Sequence, residues 1–95
     1  MTQKYERDMT ITHREFLRLL PKALSGLSHK KSGNVITAES ENGSIEIILG
    51  EESLRKLGSL ELPRTEVRIE LNSHSEIAAS RFIKRFDLAY QKGGG

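Results

Sequence analysis

The dipeptide Asn42-Gly43, flanked on both sides by alternating apolar residues, constrains the fold more than any other feature of the chain. A two-residue Asn-Gly loop is the usual type I′ hairpin connection, because both central residues take positive φ there. Counting outward pairs Ser40 with Ile45, Ala38 with Ile47 and Ile36 with Leu49, which predicts that all six share one face. The opposite face then carries Thr37 against Ile48 and Glu39 against Glu46, the latter a like-charge pair. The predicted strands cover about 34–40 and 44–49.

Helical patterns lie on either side. Thr12 and Glu15 form a capping-box pattern, and Phe16, Leu20, Ala23, Leu24 and Leu27 follow at helical spacing. Pro21 removes a donor and crowds the carbonyl four residues back, so a kink or break is expected near Leu20, with Gly26 as a stop. Residues 1–11 read as a disordered polar start, and Ser28–Gly33 as a polar loop. Glu51–Leu57 fits one or two helical turns closed by Gly58, with Leu54 and Leu57 facing inward. Leu60 and Leu62 alternate like a short strand, and Val67, Ile69 and Leu71 alternate cleanly with Glu66, Arg68 and Glu70. The apolar parity changes across Pro63, which predicts a bulge or two separate strands. A second capping pattern, Ser73 with Glu76, opens a last helix to about Lys92, whose Ala78, Ala79, Phe82, Ile83, Phe86, Ala89 and Tyr90 fall in one arc.

The fold class expected from this order is α+β. An antiparallel sheet of three to four strands has an N-terminal and a C-terminal helix packed on one face, in the order α-β-β-(short element)-β-α. Residues 12–92 would form one α+β domain, with a flexible glycine tail at 93–95.

At 95 residues the chain is long enough for a modest core and short for a deep substrate cleft. The absence of cysteine excludes disulfides, thiolate nucleophiles and sulfur-ligated metals. No apolar run approaches the roughly 20 residues needed to cross a bilayer, and Met1–Asp8 has no signal-peptide core, so a cytoplasmic location is expected. His13, His29 and His74 are far apart and lack partners at metal-ligand spacing, and His13 and His74 read as solvated. Nucleotide, zinc-protease and serine-hydrolase motifs are missing. Glu39, Glu46, Glu66 and Glu70 fall on the wet side of a sheet, where carboxylates make poor acid–base catalysts. These observations predict a non-enzymatic protein with no cofactor and no metal.

Charge is uneven. Residues 1–31 hold seven Lys/Arg and three Asp/Glu, residues 32–71 four and eight, and residues 72–95 four and two. Anionic partners should therefore meet the helices and avoid the sheet. Two surface patterns follow. Ile77, Arg81, Lys84 and Leu88, bordered by Arg85, recur on the outward side of the last helix. Aliphatics separated by cations suit a protein partner or a homodimer contact. Arg14, Arg18 and Lys22 repeat every four residues and, with Lys30 and Lys31, make a basic band suited to nucleic-acid phosphates.

The closing Gly93-Gly94-Gly95 resembles the Gly-Gly tails of ubiquitin-like sulfur carriers, a resemblance that implies activation of the terminal carboxylate. In that family the tail follows a β-strand, whereas here it follows a helical pattern, which is more simply a helix stop. The element order also resembles the double-stranded-RNA-binding domain. The basic cluster and long loop that this family uses are replaced by Ser73-His74-Ser75-Glu76 and the two-residue turn. The leading expectation is an interaction module acting through Ile77, Arg81, Lys84, Arg85 and Leu88. Nucleic-acid binding and a carrier role are the alternatives.

Overall fold

Alternation organises the molecule around one long strand. A computed structural model describes residues 2–93. Its elements are β1 (Thr2–Met9), α1 (His13–Ala23), β2 (His29–Ser32), β3 (Val35–Ser40), β4 (Gly43–Leu49), β5 (Ser53–Leu57), β6 (Leu60–Asn72) and α2 (Glu76–Gly93). All pairings are antiparallel, in the order β1-β6-β4-β3-β2, with β5 on β6. The fold is α+β as expected, but the sheet has six strands rather than three or four.

Three segments differ from the sequence-based expectation. Residues 2–9, expected to be disordered, form β1, whose Gln3, Tyr5, Arg7 and Met9 lie opposite Leu71, Ile69, Val67 and Thr65. Its outward Lys4, Glu6 and Asp8 are what a sheet edge tolerates, and they hide the strand signal. The expected loop at 28–33 contains β2, and the expected helical turns at 51–57 are β5. Both are hairpin arms closed by a two-residue turn that opens on glycine, Gly33-Asn34 and Gly58-Ser59. Positive φ at the first position suits a type II′ turn.

The Asn42-Gly43 hairpin forms, but its turn lies one residue earlier. Ser40 pairs with Gly43, Ala38 with Ile45, Ile36 with Ile47 and Thr37 with Glu46. The Ser40 hydroxyl accepts from Asn42 N–H at 3.2 Å and donates to the Gly43 carbonyl at 2.9 Å, which fixes the turn over Glu41-Asn42. A shift of two residues preserves face parity, so Ile36, Ala38, Ile45, Ile47 and Leu49 are still buried. The expected Glu39–Glu46 pair does not form; Glu46 instead lies opposite Glu70, which has Lys4 on its other side. Gly43, at φ +138, is required by space, because a Cβ there would sit 2.0 Å from the Asn72 carbonyl oxygen.

The Thr12 hydroxyl accepts from Glu15 N–H at 3.0 Å and starts α1, while the Glu15 carboxylate pairs with Arg18 instead of reaching back to the cap. The expected break at Leu20 is absent. Pro21 sits in the last turn, and Leu24 N–H to Leu20 O and Gly26 N–H to Pro21 O close the helix end. The α2 cap is Ser75, which accepts from Ala78 N–H at 3.1 Å, two residues beyond the expected Ser73.

Inward residues of β3, β4 and β6 form one buried cluster with Phe16, Leu20, Ala23 and Leu24 of the α1 segment and Ala79, Ile83, Phe86, Ala89 and Tyr90 of α2. Phe16 stacks on Tyr90 at 4.7 Å, and Phe86 tilts against Tyr90 at 4.8 Å. The Tyr90 hydroxyl donates to the Phe16 carbonyl at 2.9 Å, and burial raises its pKa above the ordinary tyrosine value. Thr65 anchors β6 by donating to the Ile11 carbonyl at 2.8 Å. Among the described residues no helix is long and apolar enough to cross a membrane.

Gly43→Ala should lower unfolding free energy by roughly 1–3 kcal/mol, since strand β4 must move off Asn72. Tyr90→Phe should cost about 0.5–1.5 kcal/mol by removing its hydrogen bond to the Phe16 carbonyl, and urea denaturation measures both.

Candidate functional site

From Gly50 to Arg64 no residue is buried, yet the stretch forms the β5 strand and the first part of β6. Before Thr65, over Leu60–Arg64, β6 has neither β1 nor β4 beside it and pairs only with β5, so this hairpin arm extends a molecule of 45 × 25 × 22 Å. The register places Leu57, Leu60 and Leu62 on one face with Arg55 and Arg64, and Leu54 and Pro63 on the other with Lys56 and Glu61. No bulge occurs at Pro63. Leu60 and Leu62 keep the parity of Arg64, Glu66 and Arg68, and so point to solvent. Leu54, Leu57 and Leu60 are 64%, 54% and 61% exposed, contrary to the expectation that Leu54 and Leu57 face inward. The missed signal is Gly58-Ser59 between two leucines.

The arm is fastened at its base. Asp8 accepts from Arg64 Nε at 2.9 Å and from Arg55 Nη2 at 2.8 Å, joining β1 to both arm strands. The Arg64 hydrogen bond, helped by Arg55, holds the Asp8 carboxyl below its usual range. Both pairs are exposed, so solvent screens each of them and the clamp depends on the two arginines sharing one carboxylate.

The structure places Ile77, Arg81, Lys84 and Leu88 on the exposed side of α2, with Ile77 66% and Leu88 58% exposed. The two aliphatics stand about 16 Å apart along the axis, with Arg81 and Lys84 between them. Arg85 donates to the Ser25 hydroxyl at 3.1 Å. Ile77, Arg81 and Arg85 also border an open cleft of about 640 Å³ between the end of α1, the β3–β4 turn and α2. His74, expected to be solvated, is only 5% exposed there, and its Nδ1 lies 3.1 Å from the Asn72 carbonyl. His13 is half-buried at the β4–β5 junction, with Nε2 2.7 Å from the Gly50 carbonyl.

The basic band is divided. Arg14, Arg18 and Lys22 are exposed on α1, with Arg18 committed to Glu15. Lys30 lies opposite Thr37 and Lys31 opposite Ile36, so strand alternation sends their side chains to opposite faces. Gly94 and Gly95 lie outside the described residues, and Gly93 ends α2. Among the described residues no cluster of three His, Asp or Glu side chains is placed to hold a metal.

Because the folded-state pKa of Asp8 is depressed, its clamp is in force above the ordinary carboxylate range and is lost as pH falls through the lowered value. Asp8→Asn should remove it at neutral pH. Amide exchange in 53–64 should then accelerate severalfold, with the 65–72 ladder unchanged. No protein-family model, curated protein or solved structure matches the chain.

Proposed function

We propose that this protein is a small interaction module that docks a protein surface through the β5–β6 arm. The observation that carries this reading is the paired stretch 50–64, which gives nothing to the core and presents contiguous leucines. A two-stranded hairpin with both faces in water is marginal by itself. Completing the burial of Leu57 and Leu60, each more than half exposed on one face, would contribute about 2–3 kcal/mol, against the ordering and association costs that docking carries. The reading takes both helices to cover the apolar face of the sheet, which the shared buried cluster supports. On that arrangement the arm alone lacks a covering layer.

Apolar contiguity favours the arm over the α2 stripe. Leu57 and Leu60 are a direct cross-strand pair, with Leu62 next to Leu60 on the same face of β6, whereas cations part Ile77 from Leu88. The α2 stripe, with Arg85 at its border, is the subsidiary surface. The divided cations of α1 and β2 give no continuous track for a phosphate backbone.

The test is the Leu57→Asp, Leu60→Asp chain, compared with wild type and with Ile77→Asp, Leu88→Asp, by light scattering and affinity capture. The arm variant should lose association without a change in melting temperature, because neither leucine belongs to the core. Association that survives in the arm variant and vanishes in the α2 variant would move docking to α2.

A further inference from the structure

We propose that the free edge of β5 pairs antiparallel with β5 of a second copy of this chain, about a two-fold axis at Leu54. This inference rests on the arm being the docking element, and it names the occupant of one edge. The tight Gly58-Ser59 turn makes Leu57 and Leu60 a hydrogen-bonded pair. Bonded and wide pairs alternate along an antiparallel ladder, so Arg55–Leu62 and Ser53–Arg64 are also bonded pairs. The backbone groups of Leu54, Lys56, Glu61 and Pro63 therefore face away from the hairpin.

The two edges of the arm are not equivalent. On the β6 side Pro63 supplies no N–H, which blocks strand addition there. On the β5 side Leu54 and Lys56 offer intact donors and acceptors. Nothing covers them: the β3 layer stops where the Leu49 N–H meets the Asn34 carbonyl at 2.8 Å, and β5 pairs with β6 alone.

Charge selects the partner and the register. The segment reads Glu52-Ser53-Leu54-Arg55-Lys56. A two-fold axis at Arg55 sets Arg55 on the partner's Arg55, and one at Lys56 sets lysine on lysine. An axis at Leu54 instead places Glu52 across from the partner's Lys56, Ser53 from the partner's Arg55, and Leu54 against its own equivalent. Glu52 uses one carboxylate oxygen on the His13 N–H at 2.7 Å, and the other is available to the incoming lysine. Leu54 and Pro63 of the two copies then form one apolar strip across a four-stranded arm. A segment whose charges complement its own reversed copy is what an isologous contact requires.

The chain has no cysteine, so Leu54→Cys introduces a single thiol at the axis. Bonded antiparallel pairs bring Cα atoms to about 5.5 Å, within disulfide reach. Mild oxidation of the full chain should link Leu54→Cys into a covalent dimer, while Lys56→Cys, about 13 Å from its equivalent, stays monomeric. Sedimentation equilibrium should show a concentration-dependent dimer for wild type, lost in Lys56→Glu and restored in Lys56→Glu with Glu52→Lys. A wild type that stays monomeric up to millimolar concentration overturns the inference, as does equal linking of Lys56→Cys. A monomeric chain that still loses a captured protein on Leu57→Asp, Leu60→Asp keeps the arm as the docking element and assigns its edge to a foreign strand. No dimer together with no effect of those substitutions sinks both readings.

Discussion

Three of the five strand pairings in this protein take their register from one strand. β6 runs for thirteen residues and is hydrogen-bonded in turn to β5, β1 and β4. From Thr65 to Leu71 its odd residues enter the core, and each has a neighbour from β1 on one side. Strand alternation makes this constraint strict, because a one-residue slip would carry Val67, Ile69 and Leu71 into water and Arg68 and Glu70 into the interior. Thr65 fixes the phase. Its side chain is buried and hydrogen-bonded to the Ile11 carbonyl, which also positions the connection into α1.

The same strand explains how a proline can lie inside a long β element. A central strand needs its N–H on both sides in turn, and Pro63 lacks one. At Pro63, however, β6 is paired on one side only, opposite Leu54 in a wide pair where no donor is required. Proline therefore falls just where the strand changes from interior to edge. Asp8 occupies that boundary as well, holding Arg55 and Arg64 where β1 ends.

What the sequence discloses follows what is half-buried. Ile36, Ala38, Ile45, Ile47 and Leu49, like the apolar arcs of both helices, were legible because one side meets the core and the other meets water. Their pairing was not legible, since the Ser40 hydroxyl competes for the turn and a two-residue shift leaves parity unchanged. β1, β2 and β5 escaped because edge strands carry charge in place of alternation; β2 and β5 are exposed throughout. Leu54 and Leu57 misled because inward placement is the default assumption for leucine. The candidate site was accordingly the least readable part: the five α2 residues are exposed as expected, but their aliphatics do not meet, and the contiguous patch lies in a segment with a helix-like pattern.

The absence of core residues between Gly50 and Arg64 separates two demands that usually conflict. Large exposed aliphatics raise the risk of misfolding when they can compete with core residues for interior positions. Here the buried cluster is complete without the arm. Phe16, Phe86 and Tyr90 close one part of the cluster, and β3, β4 and the second half of β6 supply the rest. Residues 53–64 can then be selected for what they touch, with a fold penalty limited to the local ladder and the Asp8 clamp. The cost is low local stability, which contact along the β5 edge or the leucine face would offset, so ordering of the arm and the proposed docking would form one coupled equilibrium.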